Sequence, residues 1–531
     1  MRKRFFVAVL CAATAVAATD WNEAGKQWWS HVEYLASDQM GGRDVGSPGF
    51  EKAAAYVAEQ FERAGLQPGG EGNYFQRVQF TKISLDPAKS SIAIEHGGRT
   101  TPVAIPGEAQ LGYTPDSAPS LTAPVVFAGY GLRIPEAHFD DMQGLNVKGA
   151  IVAFLMGGPG SIDGNLRSHY SSQKERWNAL REAGAVGMIS IANPKDMEIP
   201  WARQGAAWGR PRVNLADPSL VPTHGMKFSA TWDPAKADDL FSGSGHTFAE
   251  IVSAAQGQKP LPHFKLACQI KAVTHVTTEP LESKNVVGIR AGNDPKLKDQ
   301  YVVISAHLDH IGTGKPVNGD GIYNGAMDDA SGVASVIEIA KRLGKSKQSI
   351  GRSILFVTVT GEEKGELGSE FIAGHPTVKG KVVADLNMDM FLPLFPLKWL
   401  EVQGLNESTL GDDVRAVAQA AGVKVQADKE PNRNRFIRSD QYSFVKEGVP
   451  AVAFKFGYVP GDPEEKIFKD WYTNRYHGVA DDLNQPVDRA AAAQFDAILL
   501  NLAVRVANAP QPPAWKDNSF FRRFAHARSS D

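Results

Sequence analysis

YVVISAHLDHIG at 301–312, NGAMDDASGVASVIEIAKRL at 324–343 and SILFVTVTGEEKGELGS at 353–369 are the stretches that decide the fold. The runs Tyr301–Ala306 and Ile354–Thr360 are continuously apolar, which is typical of strands buried on both faces of a parallel sheet. Between these runs, apolar residues recur at helical spacing. Those positions are Val333, Val336, Ile337, Ala340 and Leu343. The stretches therefore predict a strand–helix–strand unit.

Potential metal ligands stand where these predicted elements end. His307 closes the first strand, Asp328 precedes the helix, and Glu362 and Glu363 follow the second strand. In open α/β sheets, ligands bind at the carboxyl ends of the strands. An imidazole and several carboxylates at one such edge therefore predict a metal site.

The composition predicts an ordinary globular protein with several domains. The chain has 531 residues, which is too long for a single hydrophobic core. Hydrophobic residues make up 43% and charged residues 22%. The net charge of −2 gives no reason to expect a nucleic acid or an anionic membrane as a partner. Beyond the N-terminus no run of about 20 apolar residues occurs, so no membrane span is predicted.

The N-terminus has the order of features of an export signal. Met1–Arg4 is basic, Phe5–Ala13 is apolar, and Ala15–Ala17 offers small residues for cleavage. We therefore expect residues 1–17 to be a signal peptide; a short buried helix is the alternative. Cys268 is the single cysteine left after cleavage, which favours a secreted or periplasmic protein without disulfides.

Changes in composition along the chain predict its domain organisation. Residues 18–112 and 281–511 would form one domain, which carries the candidate ligands. Residues 113–280 would form an inserted β-rich domain, and residues 512–531 a mobile tail. The predicted fold class is α/β, with a mostly parallel, helix-covered sheet and the inserted β-rich domain. Nothing in the pattern predicts an oligomeric state.

The candidate ligands fit a pair of divalent ions that share one carboxylate. Asp309 lies on the strand face of His307 and is expected to hold that imidazole in one tautomer. Asp328 can bridge both ions. One of Glu362 and Glu363 would be a ligand, and the other would take a proton from the attacking water. Each carboxylate alone also fits a helix cap or a surface position, but together with His307 they favour the metal.

Five motifs in a fixed order resemble the co-catalytic two-zinc exopeptidase family. They are HLDH, GAMDDASGVA, GEEKGELGS, NMDM and YHGVADD. That family contains secreted bacterial aminopeptidases and glutamate-carboxypeptidase-like enzymes. Residues 31–61 also resemble its N-terminal segment, and residues 123–189 are similar to the protease-associated domain that these enzymes often carry. The resemblance covers nearly all of the mature chain.

The resemblance implies two Zn²⁺ per chain with a complete ligand set. His307 and Asp389 would bind one ion, and Glu363 and His477 the other. Asp328 would bridge them. A full set of five ligands favours hydrolysis over the pyroglutamate-forming chemistry of single-zinc members.

Other residues follow from the same resemblance. Glu362 matches the general base of the family, and Tyr476 matches a tyrosine that donates to the developing oxyanion in some members. Tyr476 fits a core aromatic position equally well. The bond Asp328–Asp329 occupies the place of a cis peptide in related enzymes. Gln441 departs from the family, where many members have a histidine.

The chain end that the enzyme binds distinguishes the functional alternatives. Carboxypeptidases need arginines for a carboxylate, and Arg433, Arg435 and Arg438 cluster before SDQYSF. Surface pairing with nearby acids explains them more simply. The sequence therefore favours an aminopeptidase acting on peptides, with a carboxypeptidase as the alternative. A non-catalytic zinc-bearing ectodomain is a third reading, which the intact Glu362 argues against.

Overall fold

The computed structural model describes residues 19–526 except 196, 198–199, 202–203, 206–207, 347, 431–432 and 434. The predicted signal peptide lies outside the described residues. The helices are α1 (Trp21–Leu35), α2 (Pro48–Arg63), α3 (Gly164–Ser171), α4 (Gln173–Glu182), α5 (Ala237–Phe241), α6 (Phe248–Gln256), α7 (Ser331–Lys345), α8 (Leu367–Gly374), α9 (Leu410–Ala420), α10 (Gln441–Lys446), α11 (Pro463–Asn474) and α12 (Arg489–Asn508).

The strands form two large sheets and two short hairpins. They are β1 (Gln67–Pro68), β2 (Phe75–Leu85), β3 (Ser91–His96), β4 (Arg99–Val103), β5 (Ala109–Gly112), β6 (Ser120–Ala128), β7 (Arg133–Ile134), β8 (Phe139–Asp140), β9 (Ile151–Leu155), β10 (Gly187–Ile191), β11 (Arg212–Leu215), β12 (Phe228–Trp232), β13 (His263–Val273), β14 (Val276–Arg290), β15 (Gln300–His307), β16 (Gly312–Val317), β17 (Asp320–Tyr323), β18 (Ser353–Val359), β19 (Lys381–Asn387), β20 (Trp399–Gln403), β21 (Lys424–Ala427) and β22 (Ala451–Gly457).

The ten-stranded main sheet has the order β11-β2-β14-β18-β15-β19-β22-β20-β21, with β1 pairing β14. The strands β18, β15, β19 and β22 at its centre are parallel. β2 and β14 flank them antiparallel, and so does β20. The α/β class is confirmed, whereas the sheet is parallel only at these four central strands and between β20 and β21. β2 and β14 pair antiparallel because they are the two arms of one long excursion of the chain.

Helices cover both faces of the central strands, as their apolar sequences predict. Val302 and Ile304 pack on one face with residues of α1, α2, α7 and α12. Val303 and Val357 pack on the other face with residues of α8 and α10. The predicted strand–helix–strand unit is present as β15, α7 and β18, and the five apolar positions of α7 are fully buried.

The smaller sheet has eight strands in the order β4-β3-β13-β6-β9-β10-β12-β5. It begins at Ser91, so the predicted boundary between residues 112 and 113 falls inside this sheet. Val276 pairs with Leu85, which places both ends of the excursion side by side. The second boundary therefore lies before β14 and not at residue 281. Whether the unit is a protease-associated domain stays a prediction.

β11 ties the inserted unit to the main sheet. It comes from the inserted segment but pairs antiparallel with β2, Arg212 opposite Ile83. The strand therefore extends the main sheet at its edge, next to the candidate site.

The C-terminal tail is packed, contrary to the prediction of a mobile segment. Trp515 is 9% exposed and Phe521 is fully buried. Both rings pack in a cluster with Phe436 and Tyr442. Burial of these two aromatic side chains holds the segment up to residue 526 against the main domain.

α12 is long and apolar enough by composition to cross a membrane. Two thirds of it is buried within the protein, where Phe495 and Leu499 join the main hydrophobic core. This packing is that of a core helix.

Candidate metal centre

The predicted ligands converge at the carboxyl ends of the central parallel strands. His307 is the last residue of β15, and Glu363 follows β18. Asp389 follows β19, and Asp328 lies in the turn before α7. His477 comes from the loop after α11. The parallel order of β18, β15 and β19 places three of these ends side by side.

A first group of donors surrounds one carboxylate oxygen of Asp328. His307 Nε2 lies 3.0 Å from Asp328 Oδ1 and 3.5 Å from Asp389 Oδ1. The three side chains each offer a ligand atom within reach of a single ion.

A second group surrounds the other oxygen of Asp328. His477 Nε2 lies 3.3 Å from Asp328 Oδ2 and 3.3 Å from Glu363 Oε2. His310 Nδ1 lies 2.7 Å from Glu363 Oε1 and 3.9 Å from Asp328 Oδ2. Asp328 is thus the side chain common to both groups, with one oxygen turned to each.

The donor atoms themselves indicate a missing partner. Within the described part of the chain, buried polar side-chain atoms without a hydrogen-bond partner include His307 Nε2, His310 Nδ1, Asp328 Oδ2, Glu363 Oε1 and Asp389 Oδ1. A buried polar atom without a partner is costly, and a bound cation near these side chains would satisfy several of them together. Imidazole and carboxylate are zinc ligands, so the donor set fits this ion.

His310 was missed by the sequence analysis. It is the second histidine of HLDH and is fully buried, three residues past the end of β15. Its signal was the second imidazole beside a strand end that already carried a ligand. The prediction took only His307 and Asp309 from this motif.

The sequence analysis predicted that the side chain of Asp309 orients His307, but the Asp309 carboxylate does not contact this ring. His307 Nδ1 lies 3.0 Å from the backbone oxygen of Asp309, and this contact sets the ring position. The Asp309 carboxylate instead accepts hydrogen bonds from the backbone N–H groups of Glu362 and Glu363. Asp309 therefore shapes the turn after β18, because its two oxygens reach two successive amides.

Asp328 is held by buried neighbours. Asp481 accepts hydrogen bonds from the backbone N–H groups of Met327, at 3.0 Å, and Asp328, at 3.1 Å. The Asp328–Asp329 peptide bond is cis, as the resemblance implied. Burial opposes ionisation of Asp328, but its contacts with His307 and His477 hold its pKa well below the usual range.

Arg43 stabilises the loop that leads into Asp328. It is fully buried and donates to the backbone oxygens of Leu35, Leu308, Asn324 and Gly325 at 2.6 to 3.0 Å. One guanidinium therefore ties the end of α1 to the residue after His307 and to the loop that leads into Asp328.

Glu362 faces a cleft at the metal centre that we call the central cleft. Its volume is about 280 Å³. Its lining residues are Asp328, Glu362, Glu363, Glu366, Asp389, Met390, Arg438, Tyr476 and His477. Burial raises the pKa of Glu362 well above its usual range, and the charges of Asp389 and Glu363 add to this against that of His307. Such surroundings suit a group that accepts a proton.

Tyr476 lines the central cleft and stacks on His477, with ring centroids 4.0 Å apart. Burial, together with the charges of Asp328 and Glu363, raises the pKa of Tyr476 well above its usual range. The phenol is therefore protonated and able to donate a hydrogen bond into the cleft.

Two further cavities adjoin the central cleft and share different lining residues with it. The small pocket has a volume of about 60 Å³ and shares Asp389, Met390, Arg438 and Tyr476 with the central cleft. The large cleft has a volume of about 610 Å³ and shares Glu363 and Glu366 with it. The large cleft lies between the inserted unit and the main domain, with residues such as Trp208 and Tyr442 on its two sides.

The three clustered arginines have different surroundings. Arg433 and Arg435 pair with Glu430 at 3.1 and 2.8 Å, as the simpler interpretation expected. Arg438 is exposed and lines both the central cleft and the small pocket. Gln441 is buried and lines the small pocket, where it accepts a hydrogen bond from Asn387 at 2.6 Å.

The fold and the paired donor groups define the zinc-exopeptidase type of α/β protein. Residues 285–503 match the model of Peptidase family M28.

The chain is also similar to parts of two aminopeptidases. The chain is 25% identical over 341 residues to a probable lipoprotein aminopeptidase of Mycobacterium tuberculosis, covering 64% of this chain and 52% of the relative. It thus spans about half of that protein. It is 30% identical over 158 residues to the mouse aminopeptidase NAALADL1, covering 28% of this chain and 19% of the relative.

A solved structure shares the fold. The chain resembles an aminopeptidase from Aneurinibacillus sp. strain AM-1 with a TM-score of 0.54 and 19% identity. The similarity covers 92% of this chain and 95% of the other. This similarity therefore includes the inserted unit as well as the domain that carries the donor groups.

Proposed function

We propose that this protein is a zinc-dependent aminopeptidase that binds two zinc ions and releases N-terminal residues from peptides. The observation that carries the proposal is the pair of buried donor groups sharing Asp328, in which several facing atoms have no hydrogen-bond partner among the described residues. The names of the relatives, which are aminopeptidases, support the reaction.

His307 and Asp389 would hold one ion, and Glu363 and His477 the other, with Asp328 shared by both. This assignment follows the two sides of the Asp328 carboxylate. His310 adds a further imidazole to the second group, as a ligand or as the hydrogen-bond partner of Glu363.

The residues around the donor groups have roles that their positions support. When bound, zinc supplies Lewis acidity that polarises the scissile carbonyl and favours ionisation of the attacking water. Glu362 takes the proton of that water and returns it to the leaving amine. Tyr476 donates a hydrogen bond to the developing oxyanion. The backbone oxygen of Asp309 keeps the ring of His307 in place.

A carboxypeptidase is the second candidate, and Arg438 is the observation in its favour. Its side chain has no hydrogen bond or ion pair within the described residues, and it lines the small pocket beside the central cleft. A guanidinium there would bind the carboxylate of a C-terminal residue.

Purified protein assayed against aminoacyl-nitroanilides and N-blocked dipeptides, with and without chelator, separates these functions. The proposal predicts hydrolysis of the nitroanilides alone, loss of activity with chelator and recovery with zinc. Cleavage of the blocked dipeptides alone would establish the carboxypeptidase. Absence of both activities in zinc-loaded protein would leave the non-catalytic binding ectodomain.

The predicted signal peptide and the name of the lipoprotein relative support a location outside the cytoplasm, secreted or periplasmic. Mass spectrometry of the exported protein tests this, because cleavage after residue 17 would give a mature N-terminus at Ala18.

A further inference from the structure

The two cavities beside the metal centre differ about tenfold in volume. This difference indicates which part of a peptide substrate each cavity would bind. The small pocket of about 60 Å³ has room for roughly four to six water molecules, which corresponds to one side chain. The large cleft of about 610 Å³ has the size of a typical ligand site. An enzyme that removes one residue at a time needs the first for the released residue and the second for the remaining chain.

Glu366 stands where the large cleft meets the central cleft. It and Glu363 are the two residues common to both linings. Glu363 belongs to the second donor group, whereas Glu366 belongs to neither group. The first residue of the remaining chain would therefore pass Glu366 as it leaves the centre.

The carboxylate of Glu366 has no partner among the described residues. Neither a hydrogen bond nor an ion pair reaches it, although Lys446 and Arg438 are close enough to act on its charge. Lys446 lies 3.9 Å from Glu370 instead, and Lys174 of the inserted unit lies 3.5 Å from the same carboxylate. Arg438 lines the small pocket and not the large cleft.

The backbone of Glu366 supports a functional reason for this residue. Its φ is +62°, a left-handed conformation that glycine adopts far more readily than glutamate. Strained positions of this kind occur preferentially at functional sites. Burial raises the pKa of Glu366 to about 7, with Lys446 and Glu370 acting in opposite directions. A cation in the cleft would favour the charged carboxylate again.

We propose that Glu366 selects peptides with lysine or arginine directly after the cleaved bond, by pairing its carboxylate with that side chain in the large cleft. Trp208 and Tyr442 line the same cleft and offer apolar surface to the aliphatic stem of such a side chain. The inference rests on the proposed aminopeptidase function. It adds a preference for the residue after the cleaved bond, which the names of the relatives do not include.

The test uses the full-length, zinc-loaded protein and two kinds of substrate. One is an aminoacyl-nitroanilide, which has no residue after the cleaved bond. The others are tripeptides X-Lys-Ala, X-Met-Ala and X-Glu-Ala, where X is the residue whose nitroanilide is hydrolysed fastest. Methionine serves as the uncharged comparison because its length and flexibility are close to those of lysine.

We expect the native protein to cleave X-Lys-Ala with a kcat/KM about ten- to a hundredfold above that for X-Met-Ala, the range for a charge-assisted hydrogen bond. Glu366→Gln should abolish this ratio, and the nitroanilide kcat/KM of the same variant is measured beside it as the reference. Glu366→Lys should shift the preference to X-Glu-Ala. Glu447→Gln, the same charge change in a residue that lines neither cleft, should alter nothing.

Two results would overturn the proposal. One is an unchanged Lys-to-Met ratio in Glu366→Gln. The other is a rise in the nitroanilide KM of that variant, which would make Glu366 a binder of the N-terminal ammonium. Failure of the aminopeptidase function itself looks different, because the native protein would then hydrolyse no nitroanilide, and any cleavage of the tripeptides would release alanine instead of X.

Discussion

At the scale of single residues, the second donor group has one histidine more than the sequence analysis assigned. His310 is fully buried and lies closer to Glu363 than His477 does, at 2.7 Å against 3.3 Å. Its Nε2 has no hydrogen-bond partner among the described residues. A buried imidazole in this position either binds the second ion or orients Glu363 toward it.

His310→Ala is expected to weaken binding of one of the two ions by about 10- to 100-fold. The reason is that His310, whether it binds an ion or orients Glu363, contributes to the second donor group and not to the first. Zinc titration in competition with a chromogenic chelator measures the two affinities. His375→Ala, a histidine outside both donor groups, is the control. Unchanged affinity for both ions in His310→Ala would show that this ring does not support metal binding.

Glu362 and Glu363 are neighbours with different surroundings, and their substitutions should differ accordingly. Glu362→Gln is expected to keep both ions and lower kcat by about 10²–10⁴-fold, the usual contribution of a positioned proton-transfer group. Glu363→Gln should instead lose an ion, because it removes a donor oxygen of the second group.

Metal content by elemental analysis, measured beside kcat, separates these two effects. Near-native turnover in Glu362→Gln would assign the general base to another residue. Loss of metal in that variant would make Glu362 a ligand.

At the scale of elements, Arg43 connects three parts of the chain beneath the metal centre. Its guanidinium satisfies the backbone oxygens of Leu35, Leu308, Asn324 and Gly325, none of which is paired by a strand. The burial of Arg43 lowers its pKa to about 10, against the charges of Asp481 and Asp309. The side chain therefore stays charged at neutral pH.

Arg43→Met is expected to lower the free energy of unfolding by about 3 kcal/mol or more, because several buried oxygens lose their donor at once. Denaturant unfolding of the metal-free protein measures this without a contribution from ion binding. Arg63→Met, at an exposed end of α2, should change stability by no more than about 0.5 kcal/mol. Equal effects of the two substitutions would refute the role of Arg43.

Local sequence patterns predicted some secondary-structure elements, whereas other elements depend on contacts between distant parts of the chain. β15, α7 and β18 were predicted because buried strands and an amphipathic helix have strong apolar patterns. β11 has four residues, and its pairing with β2 depends on tertiary contacts that no local pattern encodes. The role of the Asp309 carboxylate also depends on a turn more than fifty residues away.

The same distinction applies to the tail and the donor groups. Residues after Pro512 resemble a mobile terminus in composition, yet Trp515 and Phe521 find a pocket formed by distant segments. The five candidate ligands came from the resemblance, and their side chains meet in space. His310 needed coordinates, because only the fold brings its ring to Glu363.

At the scale of the whole molecule, the inserted unit forms one wall of the large cleft. Lys174 pairs with Glu370 across it, and His169 Nδ1 lies 2.8 Å from the hydroxyl of Tyr442. His169 is also packed against Phe520 and Phe524 of the C-terminal tail. The tail thus holds the inserted unit against the main domain at the edge of the cleft.

This arrangement predicts that the inserted unit affects the binding of long peptides and does not affect hydrolysis at the metal centre. Its described residues add no side chain to either donor group. Asp86 N donates to His275 O at 2.9 Å, so a two-residue Asn-Gly turn can join Asp86 to His275 in place of residues 87–274. We expect the shortened chain to bind both ions and to hydrolyse nitroanilides, while losing its preference between long and short peptides.

Comparison of kcat/KM for a nitroanilide, a tripeptide and a decapeptide in the native and shortened chains measures this effect. Removal of β11 also exposes the edge of β2, which favours aggregation. Trp208→Ala in the full chain therefore serves as a second variant, since it reduces the wall of the large cleft and leaves both sheets intact. If both variants kept the native dependence on peptide length, the large cleft would not bind the remaining chain, and substrate would have to leave the centre by another path.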